Sequence, residues 1–378
     1  MKKLFFAIAV LCLCQTEVWA QKGGGNKGGA RGQNTAPDSV ENRVQPGVTL
    51  YGRLDAEINY QTNQDTGRVD ANGVPITGSL WSMPGNMWGT SFVGIRGTEN
   101  LGNGLTVSFN LESGFATGDG NVNGGTTLWN RRSLIGVSGG FGTIKLGRDL
   151  TLPSDIVFAI DPTGQQAMGT ATLAKGRNWP QTSNQIQYIT PEVKGFSAVA
   201  VYGFGEVAGA MRDSSSYGAA LMYKNNGLEL RGMYDVAYDP NGQLSSVFQY
   251  SKEYTAGGTW TIDNLKLFAG YQYQTAPDMV ASRGNPDKAQ QFWLGAQYQI
   301  LSNLTLIPAV FHSKLNQDTG SASLFMLGAN YNLSKQTILF ASVGTLRNSA
   351  LSSFAIEVGD SVVGVNQSAF YAGVSQSF

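Results

Sequence analysis

Beyond residue 47, apolar and polar residues alternate with a period of two along most of the chain. In Val48–Tyr60 one face reads Val48, Leu50, Gly52, Leu54, Ala56, Ile58 and Tyr60. The other reads Thr49, Tyr51, Arg53, Asp55, Glu57 and Asn59. Leu105–Phe115 repeats the pattern, with Leu105, Val107, Phe109 and Leu111 against Thr106, Ser108, Asn110 and Glu112. This is the periodicity of strands. Short turns at Asn100–Gly104, Gly139–Gly142, Pro191–Gly195, Asn225–Gly227, Asp263–Asn264, Leu301–Asn303 and Leu333–Ser334 punctuate the pattern. Long connections alternate with them, near 62–88, 117–127, 150–183, 206–215, 239–246, 275–288, 314–321 and 346–366. Seven short turns and eight long connections join sixteen strands.

The polar face decides between a dry sandwich and a barrel in a membrane. Arg53, Asp55, Glu57 and Glu112 sit in mid-strand, where a dry core would impose a heavy desolvation cost. A water-filled lumen removes that cost, whereas an Arg on the lipid face costs about 2–4 kcal/mol at the midplane. The expected fold is therefore all-β: a transmembrane antiparallel 16-stranded β-barrel with its charges inward, short turns at one rim and long loops at the other. Pro308 lies inside the strand Leu304–His312 and is expected at a bulge or at the rim.

One connection departs from the rest. Leu150–Ser183 carries Pro153, Pro162 and Pro180, several glycines and two isolated acids, Asp155 and Asp161. A structureless run of that length inside a domain tends to be functional. The reading is that it folds back into the lumen and narrows it.

Composition then sets the address and removes several chemistries. The chain has 378 residues, 26 basic and 26 acidic side chains and 49 glycines. Zero net charge gives no electrostatic footprint for nucleic acid. Residues 1–20 read as a secretory signal, with Lys2 and Lys3, the apolar run Leu4–Cys14, and a cleavage site at Val18-Trp19-Ala20. Cys12 and Cys14 both lie within it, so a mature chain would hold no cysteine and no disulfide. Removal of the signal leaves 24 basic and 25 acidic side chains. Residues 21–46 are Gly-, Asn- and Lys-rich and are expected to form a flexible periplasmic tail ahead of the barrel at 47–378.

At this point the chain resembles the general porins of Gram-negative bacteria, of the betaproteobacterial type. The matching segments are Val48-Thr-Leu-Tyr-Gly52, Gly94-Ile-Arg-Gly-Thr-Glu-Asn-Leu-Gly102, Leu111-Glu-Ser-Gly-Phe115, Gly140-Phe-Gly-Thr-Ile-Lys-Leu-Gly-Arg148, Tyr331-Asn-Leu-Ser-Lys335 and the terminal Phe378. The resemblance implies an outer-membrane homotrimer of barrels passing ions and small hydrophilic solutes, with the third long loop folded inside. It implies no cofactor, and a Phe378 read by the barrel-assembly machinery. It also implies a ladder of basic groups facing acids on the inner loop. Arg53 matches the first-strand member. Alternation cannot choose between Arg131 and Arg132, because Ile135 and Val137 share the parity of Arg131; the resemblance selects Arg131. The expected constriction is thus Arg53 and Arg131 against Asp155 and Asp161. Tyr51, Asp55, Glu57, Arg96 and Glu112 are expected along the pore wall, with Arg177 as a candidate for the basic residue displaced from before the sixth strand. Phe92 stands where many porins place an arginine. Arg148 shares parity with Ile144 and Leu146 and points outward, where the resemblance implies a contact with a neighbouring subunit.

Other chemistry is weakly signalled. Asp119–Gly124 copies the start of a calcium loop, but its twelfth position is Asn130 and no helices flank it. His312 is the single histidine, which argues against a histidine triad or a zinc cluster, and no carboxylate pair stands out as catalytic. The alternatives carried forward are a substrate-selective porin and a non-conducting outer-membrane barrel such as an adhesin.

Overall fold

The computed structural model describes residues 47–123, 127–174, 180–280, 282, 285–356 and 361–378. Its strands are β1 (Gly47–Val69), β2 (Pro75–Ser82), β3 (Ser91–Gly102), β4 (Leu105–Phe115), β5 (Arg132–Gly139), β6 (Gly142–Leu150), β7 (Gln181–Ile189), β8 (Phe196–Gly203) and β9 (Ser216–Asn225). They continue as β10 (Leu228–Ala237), β11 (Lys252–Ile262), β12 (Leu265–Thr275), β13 (Lys288–Leu301), β14 (Leu304–Leu315), β15 (Ser321–Asn332), β16 (Thr337–Asn348) and β17 (Gln367–Ser377). From β3 onward each pairs antiparallel with the next in sequence, β2 and β3 both pair with β1, and β1 pairs with β17, which closes the sheet. Sixteen strands form the barrel wall. β2 is the exception: it pairs with the outer half of β1, from Asn59 to Val69, above the stretch of β1 that pairs with β3. The connection expected at 62–88 is thus largely a hairpin that continues the wall.

The period-two pattern sorts the side chains as expected. Val48, Leu50, Leu54 and Ile58 are exposed on the outer face of β1, while Arg53, Asp55, Glu57, Asn59 and Gln61 are buried on the inner one. Tyr234, Tyr254 and Tyr273 are adjacent across β10, β11 and β12, with ring centroids 4.9 and 6.2 Å apart. Such a row is the aromatic girdle expected where lipid meets water. The chain terminus is tied in: Phe378 N donates to Gly52 O at 3.1 Å and Gly52 N to Phe378 O at 3.2 Å.

Pro308 sits neither at a bulge nor at the rim. It is paired with Leu327 in mid-strand. On its other side the β13–β14 pairing lapses between Gly295↔Ala309 and Tyr298↔Leu306 and then resumes in the same register. Proline has no N–H to give there, so the ladder opens locally without an inserted residue.

The long inner connection is also more ordered than its composition suggests. It contains α1 (Leu152–Ile160) and the short α2 (Thr170–Ala174). Thr151 caps α1 by accepting from Ser154 N, and Pro153 lies in the first turn, where its missing N–H is harmless. Leu152 and Ile156 pack on Val199, Ala220 and Met233 of the wall. Val157, Ile160, Met168 and Leu173 join a second cluster with Trp293, Ile307, Phe311, Leu324 and Phe340. That cluster explains why β14 and β15 are apolar on both faces: lipid lies outside and a dry loop inside. Trp293 shows how close the packing is. Its indole Nε1 donates to Ile160 O at 2.7 Å, and a Cβ added at Gly270 would lie 2.1 Å from its ring.

Candidate functional site: the lumen constriction

The site is built where the inner connection crosses the barrel. Gln291 Nε2 donates to Thr170 O at 2.8 Å and Gln297 Nε2 to Pro162 O at 2.9 Å. Four strands further round the wall, on β17, Tyr371 Oη donates to Gln166 Oε1 at 3.0 Å. The connection is therefore held to β13 at Pro162 and Thr170 and to β17 at Gln166 between them.

The basic groups come from β1, β6 and the entry to β5, and there the structure enlarges the expected set. Arg131 and Arg132 both point inward. Arg131 Nε lies 3.1 Å from Glu112 Oε2. Arg132 bridges two acids, Glu112 Oε2 at 3.4 Å and Asp149 Oδ1 at 3.1 Å. Alternation governs Arg132, which opens β5; Arg131 precedes the strand and is free of that constraint. Lys145 Nζ approaches Asp149 Oδ2 at 3.5 Å and is buried, opposite in parity to the exposed Ile144 and Leu146. Lys145 and Asp149 were missing from the sequence reading, although the parity of Lys145 already pointed it inward.

Phe92 organises the arginines. The Arg131 guanidinium lies 5.0 Å from its ring centroid and the Arg53 guanidinium 5.8 Å. One ring thus holds two cations through its negative face. Arg53 also donates through Nε and Nη2 to Thr90 O, at 3.1 and 2.9 Å. Further along the wall Arg96, an exposed group, stacks 4.5 Å from the Tyr51 ring. The Tyr51 hydroxyl lies 2.7 Å from both Asn110 Oδ1 and Glu112 Oε1.

The acids are arranged differently from the expectation. Asp161 does not face the arginines. Its Oδ1 accepts from Thr163 N and Oγ1, and its Oδ2 from Thr170 N and Oγ1, at 2.7–2.8 Å. It folds its own loop. Asp155 is also buried, and the charges acting most strongly on it are those of Asp149, Arg132, Lys145 and Arg231. Burial, reinforced by Asp149, raises its pKa above the ordinary carboxylate range. Asp55 and Glu57 do not line open water. Asp55 Oδ2 accepts from Trp88 N and Gly89 N, both at 3.1 Å, and Glu57 Oε1 from Met87 N at 3.4 Å. The connection ahead of β3 dips inside and covers them.

Arg177 lies outside the described residues. Arg148, half-buried, is engaged within its own chain, donating to Asn130 O at 2.7 Å and to Ser183 Oγ at 2.6 Å. In the 117–127 connection Asp119 Oδ1 accepts from Asn121 N in an ordinary turn, and Gly124–Thr126 lie outside the described residues. No group of three or more His, Cys, Asp or Glu suited to a metal occurs among the described residues.

Known proteins place this architecture. The family model described as "Gram-negative porin" matches residues 29–351. Outer membrane porin protein 32 of Delftia acidovorans is 28% identical over 362 residues, which covers 89% of this chain and 95% of the relative. The major outer membrane protein P.IB of Neisseria meningitidis is 26% identical, over 79% of this chain and 88% of the relative. Among solved structures, an anion-selective porin from Comamonas acidovorans superposes with a TM-score of 0.71 at 25% identity, covering 88% of this chain and all of that one. A closed barrel of sixteen wall strands, a loop carried across its lumen, and a family match over most of the length have one reading: the chain belongs to the Gram-negative porin family and is an outer-membrane porin.

Proposed function

We propose that this porin passes small hydrophilic solutes by passive diffusion and favours anions mildly. One observation carries the preference: Asp55, Glu112, Asp149 and Asp161 are buried, while two of the cations, Arg131 and Arg96, keep exposed surface. Asp161 accepts four hydrogen bonds within its loop, Asp55 accepts two backbone amides, and Glu112 and Asp149 are bound by arginines. Arg131 keeps 16% of its side chain exposed and Arg96 is exposed outright. Charges at a constriction set which ion is favoured, so the accessible ones dominate. Purified protein in a planar bilayer is expected to conduct in ohmic steps, with a zero-current potential of anionic sign under a salt gradient. A protein that folds in detergent and never conducts would support the adhesin alternative instead.

The reading extends to assembly and processing. The chain is taken to be cut after Ala20, to carry residues 21–46 as a periplasmic tail, and to be inserted in outer-membrane lipid by the barrel-assembly machinery through Phe378. Three barrels are taken to associate, with Arg148 at the subunit contact. A trimeric form of an outer-membrane protein of Vibrio cholerae shares the fold, with a TM-score of 0.63. Unheated protein is expected to run near three times its monomer mass in a mild gel and to collapse on boiling. A monomer by light scattering after native extraction would refute this.

A further inference from the structure

The wall of this barrel is interrupted beside β1. Arg53 pairs with Phe92 of β3, and Asn59 with Ser82 of β2. Between these pairs, five residues of β1, Leu54–Ile58, stand opposite nine, Met83–Ser91. The surplus cannot lie flat in the sheet, and it turns into the lumen. Gly85 and Asn86 make the turn, with φ of 72° and 70°. Asn86 fixes it, its Oδ1 accepting from Ser91 N at 2.6 Å and its Nδ2 donating to Phe115 O at 3.1 Å.

The inward segment is latched on three sides. Its backbone amides are held by the Asp55 and Glu57 carboxyl groups described above. Ala167 N donates to Met87 O at 2.8 Å, which joins the segment to the inner connection between β6 and β7. The third latch is the Trp88 side chain. Its Nε1 donates to Asn330 Oδ1 of β15 at 3.0 Å, and its ring stacks on Phe340 of β16 at 5.8 Å. The Arg53 guanidinium lies 5.4 Å from the same ring. β15 is three strands from β1 around the wall, about 14 Å at the usual strand spacing. Trp88 therefore cuts a chord across that side of the lumen. Met87 and Trp88 are buried to 1% and 3% exposure, so they fill the space they cross.

We infer that Met83–Thr90 is a second constriction element and that Trp88 determines the size of solute the channel passes. The ring closes the lumen in front of β1, β17 and β16 and confines solutes to the side carrying Arg96, Arg131 and Lys145. Trp88 has no charge, so it acts on size and leaves the choice of ion to the arginines. The inference rests on the reading of this chain as a conducting porin, and the test separates the two.

Both cysteines of the sequence, Cys12 and Cys14, lie in the expected signal peptide, so Trp88→Cys gives a single reactive thiol in the processed protein. Wild type, Trp88→Phe and Trp88→Cys are compared in planar bilayers and in liposomes swelling in neutral sugars of increasing size. Steady conductance by wild type establishes the channel independently of any variant. Trp88→Cys is expected to raise single-channel conductance and admit larger sugars, with little movement of the zero-current potential. A benzyl methanethiosulfonate reagent should then bring the conductance back down. Trp88→Phe, which keeps a ring against Phe340, should stay near wild type. Conductance and size limit at the wild-type level in Trp88→Cys, unaltered by the reagent, would overturn the inference. If Trp88→Cys does not reach the folded form, Trp88→Leu keeps an apolar group at that position and is read by conductance and sugar size limit alone: wild-type values in it would overturn the inference.

Discussion

Reversing Arg131 to glutamate is expected to swing the zero-current potential of this porin from the anionic toward the cationic side. The group is placed for that effect. It lies in front of the Phe92 ring, touches Glu112, and is the more exposed of the two cations held by that ring. A unit charge about 5 Å from the ion path is worth ~0.8 kcal/mol in water, and roughly half that after screening at physiological salt. That corresponds to a bias of about twofold per unit charge. Because each unit charge moves anions and cations in opposite directions, Arg131→Gln should lower the anion-to-cation permeability ratio about fourfold, and Arg131→Glu, which changes two units, about sixteenfold. Arg132 continues to bridge Glu112 and Asp149 in both variants, so the wall should hold. Both shifts should grow in dilute salt and fade in concentrated salt as the screening length changes. Arg53→Glu is the less clean probe: it would break the two bonds to Thr90 O and add an acid beside Asp55. If Arg131→Glu leaves the potential unmoved in dilute salt, Arg131 does not border the ion path and the proposed constriction is wrong.

What the sequence made legible here is the wall, because alternation is a local property. The inward parity of Arg53, Asp55, Glu57 and Glu112 was readable from a dozen neighbouring residues, and all four point inward. What parity cannot say is whether an inward side chain meets water. Asp55 and Glu57 look like pore-lining acids until Trp88 and Gly89, some thirty residues away in sequence, fold over them. Phe311 and Leu324 show the converse. Apolar on the inner face, they blur the alternation of β14 and β15, because Met168 and Leu173 of the inner connection pack there. Arg131 exposes a different limit. Parity holds only inside a strand, and Arg131 lies one residue outside β5, so it shares the lumen with Arg132. Asp155 and Asp161 appeared equivalent, two acids on one loop. Only the spacing of Asp161 to Thr163 hinted at a turn in which the acid caps its own backbone. The partner at Thr170 was not legible, since nine residues of irregular chain carry no periodicity to follow.

That distinction gives the second large expectation. Asp161→Ala should loosen the inner connection rather than change the charge seen by ions. The carboxylate accepts four hydrogen bonds, from the amides and hydroxyls of Thr163 and Thr170, and is 1% exposed. Through them it ties the end of α1 to the start of α2. Alanine leaves four donors without that acceptor in a site where water cannot easily replace it. Hydrogen bonds to a charged group contribute about 1.5–3 kcal/mol each, though not additively, so a local loss on the order of 3 kcal/mol or more is expected. The barrel itself should survive, because its wall is paired independently of the loop. The loop also keeps its anchors to Gln291, Trp293 and Gln297. The consequence is therefore a mobile constriction inside an intact wall. Open-channel noise should rise, closure should begin at lower applied voltage, and heat resistance of the folded form should change little. Asp161→Asn, with one carbonyl oxygen in place of two carboxylate oxygens, should fall between alanine and wild type. A charge lost at the pore would behave differently: the zero-current potential would shift toward anions by similar amounts in both variants, with noise unchanged. Observing that second pattern would return Asp161 to the ion path and refute its role as the internal tie of the loop.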